Sequence, residues 1–240
     1  MPSTPATPSG RSGNNWHPLA DCKPSHASVL SRAHISSIWA LPASLACSAF
    51  AGHKAPSSPE RPLRIVAGSR RGHRIEAPKG VVTRPTSDRV REAVFSILGS
   101  VEGARALDLF AGSGAMGLEA LSRGAESCLF VESDRAACGV IERNLAKLRL
   151  EGGSVLCRDA VSALRAEAKA GRRFDLALVD APYEEWAAHE RPLGALLPAV
   201  LEDRGIAVVE TAGSVEPALP LDLVTTRRYG SARITVFSTR

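Results

Sequence analysis

From Arg105 to Glu210 the chain alternates short apolar runs with longer amphipathic segments, and this alternation constrains its fold more than any other feature. The runs are "RALDLF" (105–110), "SCLFVE" (127–132), "SVLC" (154–157), "LALVD" (176–180) and "IAVVE" (206–210). They are near-continuously apolar rather than strictly alternating, the pattern of strands buried on both faces of a parallel sheet. "AMGLEALSR", "DRAACGVIERNLAKL", "AVSALRAEAKA" and "PLGALLPAVLE" lie between them and suit crossover helices. Two last strands, "DLVTTRRY" and "ARITVFS", are joined across "GS" and read as an antiparallel pair. The expected fold class is α/β: a doubly wound, mostly parallel sheet with a terminal antiparallel hairpin.

Ahead of the sheet, "LRIVAG" and "HRIEA" flank the turn "SRRG" and predict a basic β-hairpin. "TSDRVREAVFSIL" then has Thr86 or Ser87 to cap a helix, with Val90, Val94, Ile97 and Leu98 at helical spacing. Residues 1–60 differ: they are rich in Pro, Ser and Gly, hold only Asp21 and Glu60 as acids, and keep no periodicity. That composition predicts a disordered leader, either an organellar transit peptide or upstream sequence from a wrong start, of which the second is favoured. The expected organisation is a leader (1–60), a basic hairpin segment (61–85) and an α/β domain (86–240).

The net charge is +5, and its distribution is uneven. Between Arg61 and Glu92, nine basic residues face three acidic ones, a local +6, which points to a polyanionic partner such as RNA or DNA. The five cysteines, at 22, 47, 128, 138 and 157, form no C-x-x-C pair. This argues against a structural metal and a disulfide framework, and for a reducing compartment. No apolar run approaches the roughly 18 residues of a membrane span.

After the first strand comes "DLFAGSGAMG", with Gly112, Gly114 and Gly117 in a G-x-G-x-x-G frame that opens a helix. This frame serves dinucleotides and nucleoside cofactors alike, with Glu132 at the next strand's end suited to a ribose hydroxyl. Asp108 tips the balance toward the second. A carboxylate there repels a pyrophosphate but suits the ammonium and sulfonium of S-adenosylmethionine. Asp159, after the third strand, can accept from an adenine amine or cap the next helix, and Asp134 reads as a cap. In "VDAPYEEW", Asp180 ends the fourth strand, so it should share the glycine loop's crevice. Asp180 and the carbonyl of Ala181 can accept the two N–H bonds of an exocyclic amine, Pro182 fixes φ, and Tyr183 offers a face for an extruded base.

"LRIVAGSRRGHRI", "RPTSDRVREAVFSIL", "LDLFAGSGAMGLEALSRGA", "VESDRAA" and "VDAPY" follow one another as in the small-subunit ribosomal RNA methyltransferase D (RsmD-like) family, which this chain resembles over about residues 63 to 240. The resemblance implies a class I S-adenosylmethionine-dependent methyltransferase fold, Rossmann-like and seven-stranded, that methylates a guanine N2 amine in 16S rRNA. It implies Asp108, Gly112, Gly114, Glu132 and Asp159 at the cofactor, with Thr86 and Arg89 closing that site. Asp180, Ala181, Pro182 and Tyr183 would hold the base, and the hairpin with Arg64, Arg70, Arg71 and Arg74 would touch RNA. It further implies a monomer in the cytoplasm, or in an organelle if the leader is a transit peptide, acting on rRNA, naked or in an assembling small subunit. Two departures are visible: Ala181 replaces the family's usual proline, and the leader has no counterpart. The competing classes are a DNA adenine or cytosine amino-methyltransferase and a non-catalytic RNA-binding protein on the same fold. Methyl transfer to duplex DNA, or failure to bind S-adenosylmethionine, distinguishes them.

Overall fold

The computed structural model describes residues 62–78 and 87–240, so the leader and Thr86 lie outside the described residues. In chain order the elements are α1 (Asp88–Leu98), β1 (Arg105–Leu109), α2 (Ala115–Ser122), β2 (Ser127–Glu132), α3 (Arg135–Leu148), β3 (Gly153–Cys157), α4 (Ala160–Lys169), β4 (Phe174–Val179), α5 (Trp186–Val200), β5 (Leu201–Ala212), β6 (Asp222–Tyr229) and β7 (Ala232–Ser238). They build one seven-stranded sheet in the order β3-β2-β1-β4-β5-β7-β6, with β1 to β5 parallel and β7 antiparallel to both its neighbours. The strand order reverses between β1 and β4, the place where open α/β sheets leave a ligand crevice. Two apolar layers sandwich the sheet. Val94, Phe95, Leu118, Phe130 and Ile141 pack on one face, and Leu164, Trp186, Leu193 and Leu197 on the other.

Local chemistry sets the helix starts. Ser87 caps α1 by accepting from the Val90 amide, Asp134 caps α3 through Ala136, and Asp159 caps α4 through Ser162. Helix α5 differs from the expected one. It begins at Trp186, six residues before Pro192, and carries Pro192 and Pro198 within it. Packing of its apolar face on the sheet overrides the local preference of proline. Strand β5 starts at Leu201, so Leu201 and Glu202 belong to the sheet and not to the preceding helix.

The N-terminal segment folds back as expected, but among the described residues its own ladder is one bridge, Arg64 with Arg74. Other groups hold it in place. The buried carboxylate of Glu119 on α2 accepts the amides of Val66 at 2.7 Å and Ala67 at 2.8 Å and pairs with Arg123. A buried carboxylate needs such partners. Gly68 lies so close to α2 that an added Cβ would sit 1.9 Å from the Ser122 carbonyl oxygen, at a φ of +83°. Gly68→Ala should therefore undock the segment and cost about 1–3 kcal/mol by overpacking. Thermal denaturation checks this, and an unchanged midpoint would count against the docking role.

Candidate active site

The glycine loop is shaped by two requirements. Gly112 and Gly114 take positive φ, 55° and 77°, and Gly114 starts α2 in the left-handed conformation. Gly117 is needed for closeness, since a Cβ there would meet Phe130 Cε1 at 2.3 Å and Cys128 Sγ at 2.6 Å. The loop is tied to two carboxylates. Glu132 accepts the Gly112 amide at 2.8 Å and the Asp134 amide at 2.8 Å. Asp108, 2% exposed, accepts the Gly117 amide at 2.9 Å. Burial pushes the Asp108 carboxyl well above the usual carboxylate range; the Gly117 bond opposes this, and the negative charges of Asp180 and Glu132 add to it. Two carboxylates thus hold the loop and a third, Asp180, is near enough to act on Asp108, an arrangement that favours a cationic guest and disfavours a pyrophosphate.

Sheet register places these groups along a rim. Leu109 pairs with Val131 and with Val179, and Val179 pairs with Val209. The next residues, Glu132, Phe110, Asp180 and Glu210, are therefore level on neighbouring strands, which lie about 4.8 Å apart. Phe130, Leu178 and Val208 belong to the core under α1, α2 and α3. By the two-residue period of a strand, Glu132, Asp180 and Glu210 face that same side, as Asp108 does two residues after Ala106. The Asp180 amide continues the ladder to the Leu109 carbonyl at 3.5 Å. Ala181 follows, 1% exposed, and Tyr183 stands 37% exposed with its hydroxyl donating to Glu210 Oε1 at 3.0 Å. Pro182 is exposed beside it.

The remaining site residues divide. Asp159 caps α4, accepting the Ser162 amide at 2.8 Å, and that bond comes first in holding its carboxyl below the usual range, so the structure shows the capping role its sequence position allows. Arg89 is exposed on the first turn of α1 and makes no hydrogen bond or ion pair among the described residues. Arg64 pairs with Asp88 at 2.9 Å. Arg70 is spent on structure: its Nε donates to the Leu148 carbonyl at 2.5 Å and its Nη2 to the Arg149 carbonyl at 3.1 Å, closing the C-terminus of α3. Arg71 and Arg74 are exposed. Three groups escape sequence reasoning. Glu210 holds Tyr183. Buried Asn144 donates to the carbonyls of Glu76 at 3.0 Å and Ser113 at 3.2 Å, tying the N-terminal segment to the glycine loop. Phe110 adopts a φ of 58°, unusual for a bulky residue, with its ring edge-on to His189 at 4.9 Å. A "VVE" strand end gives a hint of Glu210; the other two have no local signal.

A doubly wound sheet of this order, with a glycine loop at its reversal point and an acidic strand end beside it, defines the class I methyltransferase architecture. The family model described as "Conserved hypothetical protein 95" matches residues 63–238, and the chain belongs to that family, which includes the ribosomal RNA small subunit methyltransferase D proteins. YlbH of Bacillus subtilis (strain 168) is 40% identical over 188 residues, covering 74% of this chain and 100% of the relative. Ribosomal RNA small subunit methyltransferase D of Escherichia coli (strain K12) is 37% identical over 163 residues, 66% of this chain and 78% of that protein. The solved structure of yhhF from Escherichia coli superposes with a TM-score of 0.64 at 31% identity, over 75% of this chain and 99% of that chain.

Proposed function

We propose that this protein methylates the exocyclic N2 amine of a guanine in small-subunit ribosomal RNA, with S-adenosylmethionine as the methyl donor. The observation that carries the reading is the position of Asp180: level with Phe110 on the strand next to the glycine loop, and near enough to Asp108 for its charge to be felt there. When bound, the donor supplies a methyl group activated by a sulfonium. Glu132 would hold the ribose, Asp108 and the loop amides would set the charged head, and Asp159 would accept from the adenine amine.

A guanine amine is a poor nucleophile because its lone pair is delocalised into the ring. Asp180 and the Ala181 carbonyl accept its two N–H bonds and favour a more tetrahedral nitrogen. On taking up the methyl the amine would give up one proton, for which the Asp180 carboxylate is the acceptor beside it, and the donor would leave as the neutral thioether. Most of the rate comes from positioning and fixed dipoles. Ala181 stands where the resembled family usually has proline; it is 1% exposed and shares an apolar layer with Val179 and Trp186, which in this reading keeps its carbonyl in place. Tyr183 presents the stacking face.

Labelled methyl should pass from S-adenosylmethionine to small-subunit rRNA, as naked RNA or in an assembling particle, and the product should be N2-methylguanine. Transfer to duplex DNA alone would overturn the reading. For the RNA surface, the exposed Arg71 and Arg74 are the phosphate contacts of choice, and Arg70 is not. Replacing Arg71 and Arg74 together by alanine should lower the slope of log affinity against log salt by about 1–2, from lost counterion release. A wild-type slope would remove the segment from the interface.

A further inference from the structure

Asp180 and the Ala181 carbonyl account for the amine of the substrate, but they would serve the amine of adenine or cytosine equally well. Glu210 breaks that equivalence. It stands level with Asp180 on the adjoining strand, faces the same side of the sheet, is 9% exposed, and accepts the Tyr183 hydroxyl at Oε1. A carboxylate has two acceptor oxygens and no donor. Its neighbours are the Tyr183 hydroxyl, accepted at Oε1, and Asp180, level with it on the adjoining strand.

We propose that Glu210 is the residue that selects guanine, by accepting the N1–H of the target base next to the amine held by Asp180. The inference rests on the reading of the site as a guanine-N2 methyltransferase and gives that site its base specificity. Guanine offers three N–H bonds on adjacent atoms, two on N2 and one on N1. The rim offers three acceptors for them: Asp180, the Ala181 carbonyl and Glu210. Adenine and cytosine instead place a ring-nitrogen lone pair beside their amines, which would oppose the Glu210 carboxylate. Sites built to hydrogen-bond a group reject analogues that leave their buried partner unpaired. The Tyr183 hydroxyl fixes the carboxylate, so one side chain both stacks on the base and orients its reader.

The test uses rRNA whose methylated guanine is replaced by 2-aminopurine, which keeps the reactive amine and lacks the N1–H. The wild-type protein should lose about 100-fold or more in kcat/KM on 2-aminopurine relative to guanine. In Glu210→Gln, whose amide can either accept or donate, that ratio should fall below about 10, with S-adenosylmethionine affinity unchanged. Tyr183→Phe keeps the ring and should lower the ratio to an intermediate value. Comparable wild-type rates on the two bases, or a ratio unaltered in Glu210→Gln, would overturn the proposal while leaving the methyltransferase reading in place. Methyl transfer at an atom other than N2 would refute both.

Discussion

Asp180→Ala should lower single-turnover methyl transfer by about 1,000-fold or more while leaving S-adenosylmethionine affinity within a few-fold of wild type. The size follows from the kind of group removed: a preorganised acceptor aimed at charge that develops in the transition state is worth about 3–4 kcal/mol when lost. The separation between rate and affinity follows from geometry. Glu132, Asp108 and Asn144 make bonds that shape the glycine loop, whereas Asp180 lies on the neighbouring strand end, where the base is to be held. Asp180→Asn keeps the size but loses the charge and should retain part of the rate. Unchanged turnover in the alanine variant would deny Asp180 its role; a parallel collapse of cofactor affinity would make it a cofactor ligand instead.

Asp108→Asn should raise the melting temperature and weaken S-adenosylmethionine binding by about 100-fold. Burial lifts the Asp108 carboxyl well above an unfolded chain's value, and the charges of Asp180 and Glu132 lift it further. The folded state then holds a proton that the unfolded chain has released, so stability falls as pH rises from about 4 through the folded value. Asparagine still offers an oxygen to the Gly117 amide and carries no charge, which removes this loss; each 1 kcal/mol relieved is worth about 2–4 °C. The cationic donor reverses the balance, because it favours ionised Asp108. Wild-type affinity should climb with pH until that carboxyl is ionised, and the variant should lack the climb. Isothermal titration at several pH values measures both, and a pH-independent wild-type affinity would separate Asp108 from the donor's charge.

The fold was legible because the deciding information is local and periodic. Apolar runs of four to six residues, separated by amphipathic segments, leave a parallel sheet as their only economical burial, and "GS" between two β-branched stretches announces the terminal pair. The start of α5 was not legible, since Pro192 and Pro198 argue locally against a helix that Trp186, Leu193 and Leu197 stabilise by packing across the sheet. Within the site, Asp108, Glu132 and Asp180 follow from strand ends alone. Glu210 does not, because its place beside Asp180 depends on the β4–β5 register, which no stretch of sequence displays. The arginines mark another limit: composition cannot tell Arg71, which is exposed, from its neighbour Arg70, which closes a helix 78 residues further along.

The borrowed bonding of the N-terminal segment has a consequence for synthesis. Residues 62–78 have a single bridge of their own; beyond it and the contacts of Arg64 with Asp88 and Arg91 on α1, their anchors include Glu119, Ser122, Asn144 and Leu148 on α2 and α3. A two-stranded ribbon is at best marginal in water alone. On the ribosome this stretch therefore emerges before the helices that receive it, and it must wait for some seventy more residues to be translated before it can settle. At about 5–20 residues per second that delay is several seconds, during which a strongly basic chain stands open beside the ribosome's own RNA.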